Sequence, residues 1–104
     1  MDAHYRQGDV LIRQIDRLPA ERTPVPREQG RVVLAHGEVT GHAHAIAEPG
    51  AELFVTEGGK HYLRLDGPAS VTHEEHSSIV LKAGTYEVIR QREYQPDRIQ
   101  FVAD

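Results

Sequence analysis

Residues 41–47 read Gly41-His42-Ala43-His44-Ala45-Ile46-Ala47, a strict two-residue alternation that puts His42, His44 and Ile46 on one side and three alanines on the other. Side chains at i and i+2 of a β-strand leave the same face about 6.6 Å apart, whereas a helix would set them on opposite sides. The stretch is therefore read as a strand. An all-alanine face lets a neighbouring layer come close, so that side is expected to be packed and the imidazoles to face a lumen or cleft.

Outward from this strand, apolar residues keep coming in short runs separated by glycine, proline and charged residues, the pattern of strands and not of long amphipathic helices. The expected strands are 9–15, 31–35, 42–47, 52–56, 61–65, 69–73, 78–82 and 85–91. Gly58-Gly59, Gly67-Pro68 and Ala83-Gly84 mark turns. Segment 18–30 holds Pro19, Pro24 and Pro26 and reads as a surface loop with room for one helical turn. Pro96-Asp97 opens either a short C-terminal helix through Val102 or an edge strand. Short strands in this number predict an all-β fold, one small barrel or sandwich spanning residues 1–104.

Composition narrows the function. With 38% hydrophobic and 27% charged residues and a net charge of −4, the chain reads as an ordinary globular domain, and nucleic acid is not an expected partner. It has no cysteine, which excludes disulfides, thiolate zinc sites, iron–sulfur centres and thiol catalysis together. No apolar run approaches the ~18 residues that cross a bilayer, so no membrane partner and a cytoplasmic location are expected. There is no G-x-S-x-G elbow, no P-loop and no dinucleotide-binding glycine motif. Glu74 and Glu75 do not suit a glycosidase pair, because neighbours on a strand point apart.

Histidine stands out against this background, with seven in 104 residues. Neutral imidazole is the commonest protein ligand for first-row transition ions, while calcium and magnesium prefer oxygen. His42 and His44 share a strand face, and His73-Glu74-Glu75-His76 forms a second pair. His73 and His76 are three apart, so a straight strand sends them to opposite faces, and both reach one site only if Glu74-Glu75 bends. The expected metal residues are His42, His44, His73 and His76, and the expected cofactor is a divalent transition metal: Zn, Fe, Ni, Mn or Cu. Glu74 or Glu75 would bind the ion or orient a histidine through its distal nitrogen. His61 shares a face with Leu63 and Leu65 and is read first as a core histidine; His4 and His36 are read as surface residues.

Residues 37–48, running Gly37-Glu38-Val39-Thr40-Gly41-His42-Ala43-His44-Ala45-Ile46-Ala47-Glu48, resemble the first motif of the cupins, a glycine followed by H-x-H and then a glutamate. The resemblance implies a small β-barrel, His42, His44 and Glu48 as ligands, and a further histidine from a second motif, for which His73 or His76 is the candidate. The chain is also similar to small uncharacterised bacterial proteins, a likeness that implies no activity. The stretch Gln7-Gly8-Asp9-Val10-Leu11-Ile12 fits equally well as the first strand of a β-clip, the alternative fold.

Three functions are consistent with these readings. The first is a β-domain that binds a metal through its histidine cluster. The second is a cupin-type metalloenzyme acting on a small molecule, with Tyr62, Tyr86, Glu74 or Glu75 moving protons. The third is an assembly protein, a homo-oligomer formed through sheet edges with histidines at the interface. In that reading Val88, Ile89, Tyr94 and Phe101 are candidates for an exposed apolar patch, against the plainer expectation that they are core.

Overall fold

The period-two segments pair into two antiparallel sheets. The computed structural model describes residues 3–37 and 39–91. Ten strands follow in chain order: β1 His4–Gln7, β2 Val10–Ile15, β3 Thr23–Val25, β4 Val32–His36, β5 Ala43–Ile46, β6 Ala51–Val55, β7 His61–Leu65, β8 Ala69–His73, β9 His76–Leu81 and β10 Gly84–Arg90. The larger sheet has the order β1-β2-β10-β7-β6-β3 and the smaller β4-β5-β8-β9. No helix occurs among the described residues, and none is long and apolar enough to cross a membrane. The all-β expectation holds, as a sandwich-like pair of sheets.

Alternation places the core. Val10 and Ile12 of β2, Tyr86 and Val88 of β10, Leu63 and Leu65 of β7 and Leu53 of β6 turn inward from the larger sheet. They meet Val32, Leu34, Ile46, Val71 and Leu81 from the smaller one. The opposite face of the larger sheet carries charge, with Arg13 directly across from Glu87 and Arg64 across from Glu52, each pair in contact. On β5 the alanine face is packed as expected: Ala43 and Ala45 are buried with Val33.

Two strands escape the sequence pattern. The first begins at His4, not Asp9, because Gly8 and Asp9 form a two-residue hairpin loop between Gln7 and Val10. Gly8 has φ 60°, the positive value that mirror-image hairpin turns demand at their first central position. Segment 18–30 is not wholly loop, since Thr23-Pro24-Val25 adds β3 to the rim of the larger sheet. Proline cannot donate to a ladder, and an edge strand is where it is tolerated. The C-terminal helix or strand expected after Pro96, with Tyr94 and Phe101, lies outside the described residues; Val88 is core and Ile89 half-buried.

The two sheets close on each other where β1 meets β9. There the buried Gln7 amide donates to the carbonyls of Val71 (3.0 Å) and Ser77 (2.9 Å), stitching one sheet to the other.

Candidate metal centre

His44 points inward from the middle of β5 and is 2% exposed. His42 stands just ahead of that strand, where the loop from β4 is tied down by the Gly37 N–H donating to the His42 carbonyl at 2.8 Å. A side chain on Gly37 would sit 3.1 Å from His42 Cβ and 3.2 Å from His73 Nε2, so glycine gives both rings their room.

His73 and His76 come to the same place by a different device. They are register partners on either side of the Glu74-Glu75 turn, and cross-strand partners share a face. By simple alternation His76 would lie opposite Ile79 and Leu81. The hairpin register slips between Val71 and His73, so Ser77 and Ser78 stand against Thr72 alone. This bulge returns His76 to the inner face.

The result is a cavity of about 300 Å³ lined by His42, His44, His73, His76, Asp9 and Glu75, with Gly37 and Val39 completing its wall. Ring centroids are 4.3 Å apart for His44–His73, 4.6 Å for His73–His76, 5.7 Å for His42–His73 and 6.0 Å for His44–His76. Atoms of His42, His73 and Glu74 lie within 4.8 Å of one another. Tetrahedral zinc holds its donors about 3.4 Å apart, so the side chains would draw inward around an ion.

Polar contacts set the proton positions. The Gln7 amide nitrogen is committed to two carbonyls, so its Oε1, 2.7 Å from His44 Nδ1, must accept. His44 therefore carries its proton on Nδ1 and presents Nε2 as a lone pair, 3.8 Å from Asp9 Oδ1 and too far for a hydrogen bond. Burial and the neighbouring His73 push the His44 pKa down to about 4, with Asp9 opposing and His76 and Arg90 adding to the depression. The ring is neutral at pH 7, as a ligand must be. In His73, Nδ1 accepts from the Glu75 N–H at 3.0 Å, which in the neutral ring leaves the proton on Nε2. Glu75 Oε2 lies 3.3 Å from His42 Nδ1. Glu74 Oε1 accepts from the Ala43 N–H at 3.0 Å. That bond and the Glu74 backbone N–H hold its carboxyl below the usual carboxylate range, with His42 and His73 adding to the effect.

A family model, described as a domain of unknown function, matches residues 6–91, most of the chain and all of this site. The chain belongs to the DUF8820 family. No curated protein and no solved structure matches it. The cavity of this DUF8820 chain gathers His42, His44, His73 and His76 with Glu75 on its wall and Glu74 close to His42 and His73, and the remaining sequence candidates lie elsewhere. Glu48, implied by the cupin resemblance, accepts from the Ser70 N–H at 3.1 Å and is not on the cavity wall. The strand ends at Ile46, so the alternation that would have aligned Glu48 with His44 stops before reaching it. His61 faces inward beside Val88 and lines a different cavity. His36 is exposed 3.2 Å from Glu28, and His4 is exposed on β1. Sequence reasoning missed Gln7, Gly8 and Asp9. Gly8 lies beneath His76, where a Cβ would come within 2.8 Å of Nε2. The signal available was the polar Gln7 next to a turn glycine, which reads as nothing more than a hairpin.

Proposed function

We propose that this domain binds one divalent transition ion in the cavity formed by His42, His44, His73 and His76, with the carboxylates of Asp9, Glu74 and Glu75 beside it. The observation that carries this reading is the Gln7–His44 pair. A buried amide whose nitrogen is already committed leaves His44 one tautomer, and that tautomer leaves Nε2 without a proton in a cavity that three other imidazoles also line. Metal-bound histidines are characteristically oriented in this way, through the ring nitrogen that does not touch the ion. For His73 to ligate through Nε2, it must release the Glu75 N–H and move its proton to Nδ1. A donor set rich in imidazole suits zinc, nickel, copper or iron, with manganese favoured only if the carboxylates take a larger share.

The test is calorimetric titration of chelator-stripped, untagged protein with zinc and nickel, followed by elemental analysis of the wild type and of His44→Ala and His76→Ala. Binding at one ion per chain in the micromolar range or tighter is expected, with loss of at least tenfold in each variant. No binding tighter than about millimolar, or metal retained by both variants, would overturn it.

A second reading, a metalloenzyme, is favoured by the room left in the cavity and by Asp9 and Glu75 on its wall, where a carboxylate could take a proton from a bound molecule. A cobalt-loaded protein whose visible spectrum reports four protein nitrogens and no exchangeable ligand would count against catalysis.

A further inference from the structure

A second cavity of about 480 Å³ opens between the edge strand β4 and the inner face of the larger sheet, with Leu34, Leu53 and Val88 in its apolar lining. Four ionic side chains also line it, and their charges cancel: Lys60 and Arg90 against Glu28 and Glu87. Three of the four are engaged. Glu87 contacts Arg13, Glu28 lies 3.2 Å from His36 Nε2, and one Arg90 amino group donates to the His36 carbonyl at 3.3 Å. Lys60 stands exposed in the turn between β6 and β7. Nothing in this balance selects a ligand of either charge.

His61 is a polar group of another kind. Alternation along β7 sets it on the inner side with Leu63 and Leu65, and its register partners are Val55 and Val88. The ring is half-buried on the cavity wall, and within the described residues neither of its nitrogens has a hydrogen bond or an ion pair. A neutral imidazole offers one N–H and one lone pair, so both a donor and an acceptor stand open among apolar side chains. A volume of this size falls among cavities that enclose small organic ligands, where apolar walls hold the body and a few placed polar groups orient it. We propose that this cavity binds a small uncharged organic molecule bearing a hydroxyl, its apolar body against Leu53 and Val88 and its hydroxyl hydrogen-bonded to His61. The site is separate from the histidine cavity, although the adjoining residues His36 and Gly37 line one each. It stands whether or not a metal binds.

The experiment is amide NMR on isotope-labelled, chelator-treated protein. The probes are 4-methylphenol and 3-phenylpropanol, with 3-phenylpropanoate and 3-phenylpropylamine as anionic and cationic analogues of the second. The expected result is saturable shifts at Leu34, Leu53, His61 and Val88, with the alcohol binding at least about fivefold tighter than either ion. His61→Leu should weaken alcohol binding about three- to tenfold, the worth of one hydrogen bond, while His61→Gln, which keeps a donor and an acceptor, should restore most of it. Val25→Trp, on the half-buried edge strand β3 at the cavity wall, should fill the space and abolish binding. The proposal is overturned if neither neutral probe shifts these amides at about 10 mM, or if the acid or the amine binds as tightly as the alcohol. Undiminished alcohol binding in a folded His61→Leu or Val25→Trp protein would overturn it too. So would movement of the same amides on diluting the protein alone, which would assign the cavity to a second copy of the chain.

Discussion

Replacing Gln7 by leucine tests the link between fold and site most directly. The amide makes three contacts across the sheet junction: donation to Val71 O at 3.0 Å, donation to Ser77 O at 2.9 Å, and acceptance from His44 Nδ1–H at 2.7 Å. The first and third are buried, and losing each leaves a desolvated partner, at about 1–3 kcal/mol apiece. The Ser77 contact is only partly buried, so water can replace it for about 1 kcal/mol or less. Leucine has similar volume and fills the space, so little cavity cost is added. The expected loss is roughly 2–7 kcal/mol, a large share of the ~5–15 kcal/mol that holds a domain of this size together. Urea unfolding of chelator-treated wild type and Gln7→Leu reads that difference. Zinc affinity, measured on protein still folded at low temperature, should fall about 10- to 100-fold as His44 loses its fixed tautomer. Gln7→Glu separates the contributions, because a carboxylate accepts from His44 but cannot donate to the two carbonyls. A Gln7→Leu protein within 1 kcal/mol of wild type and with unchanged zinc affinity would refute the reasoning.

Three further outcomes are expected. Gly8→Ala forces a side chain onto a φ of 60° and brings its Cβ to 2.8 Å from His76 Nε2; thermal unfolding should show a loss of about 1–2 kcal/mol, and calorimetry weaker metal binding. The His44 pKa is depressed from 6.5 to about 4, so between those values the unfolded chain takes up a proton that the native state refuses. The contribution is present in full above pH 6.5 and is lost as pH falls toward 4, by about 3 kcal/mol. The difference between the pH–stability curves of metal-free wild type and His44→Gln should show that slope, and a flat difference would contradict it. Glu48→Gln should keep zinc affinity within about twofold, since Glu48 holds the Ser70 N–H and not the cavity; a tenfold loss would restore the ligand role that the cupin resemblance implied.

What could be read from the sequence, and what could not, divides along a physical line. Alternation is local, so the strands with one clean apolar face were legible, and with them the shared face of His42 and His44. The polar His4–Gln7 and the proline-bearing Thr23–Val25 were not, because what makes them strands is a neighbour's ladder and not their own pattern. The convergence of His73 with His76 rested on two features that spacing leaves open, a tight turn at Glu74-Glu75 and a bulge at Ser77-Ser78. A one-residue change in that register would turn the exposed His76 away from the cavity while altering no residue type. Gln7 and Asp9 belong to the site for a reason more remote still: the edge strand carrying one and the turn carrying the other are brought against β5 and β9 when the two sheets close. The histidine pairs are therefore properties of single strands or hairpins, whereas the group that orients His44 is a property of the closed sandwich. It follows that a fragment lacking β1 could still pair His73 with His76 but would leave the His44 tautomer free. On this reasoning, the metal affinity proposed for the intact domain would be set at the junction of the two sheets.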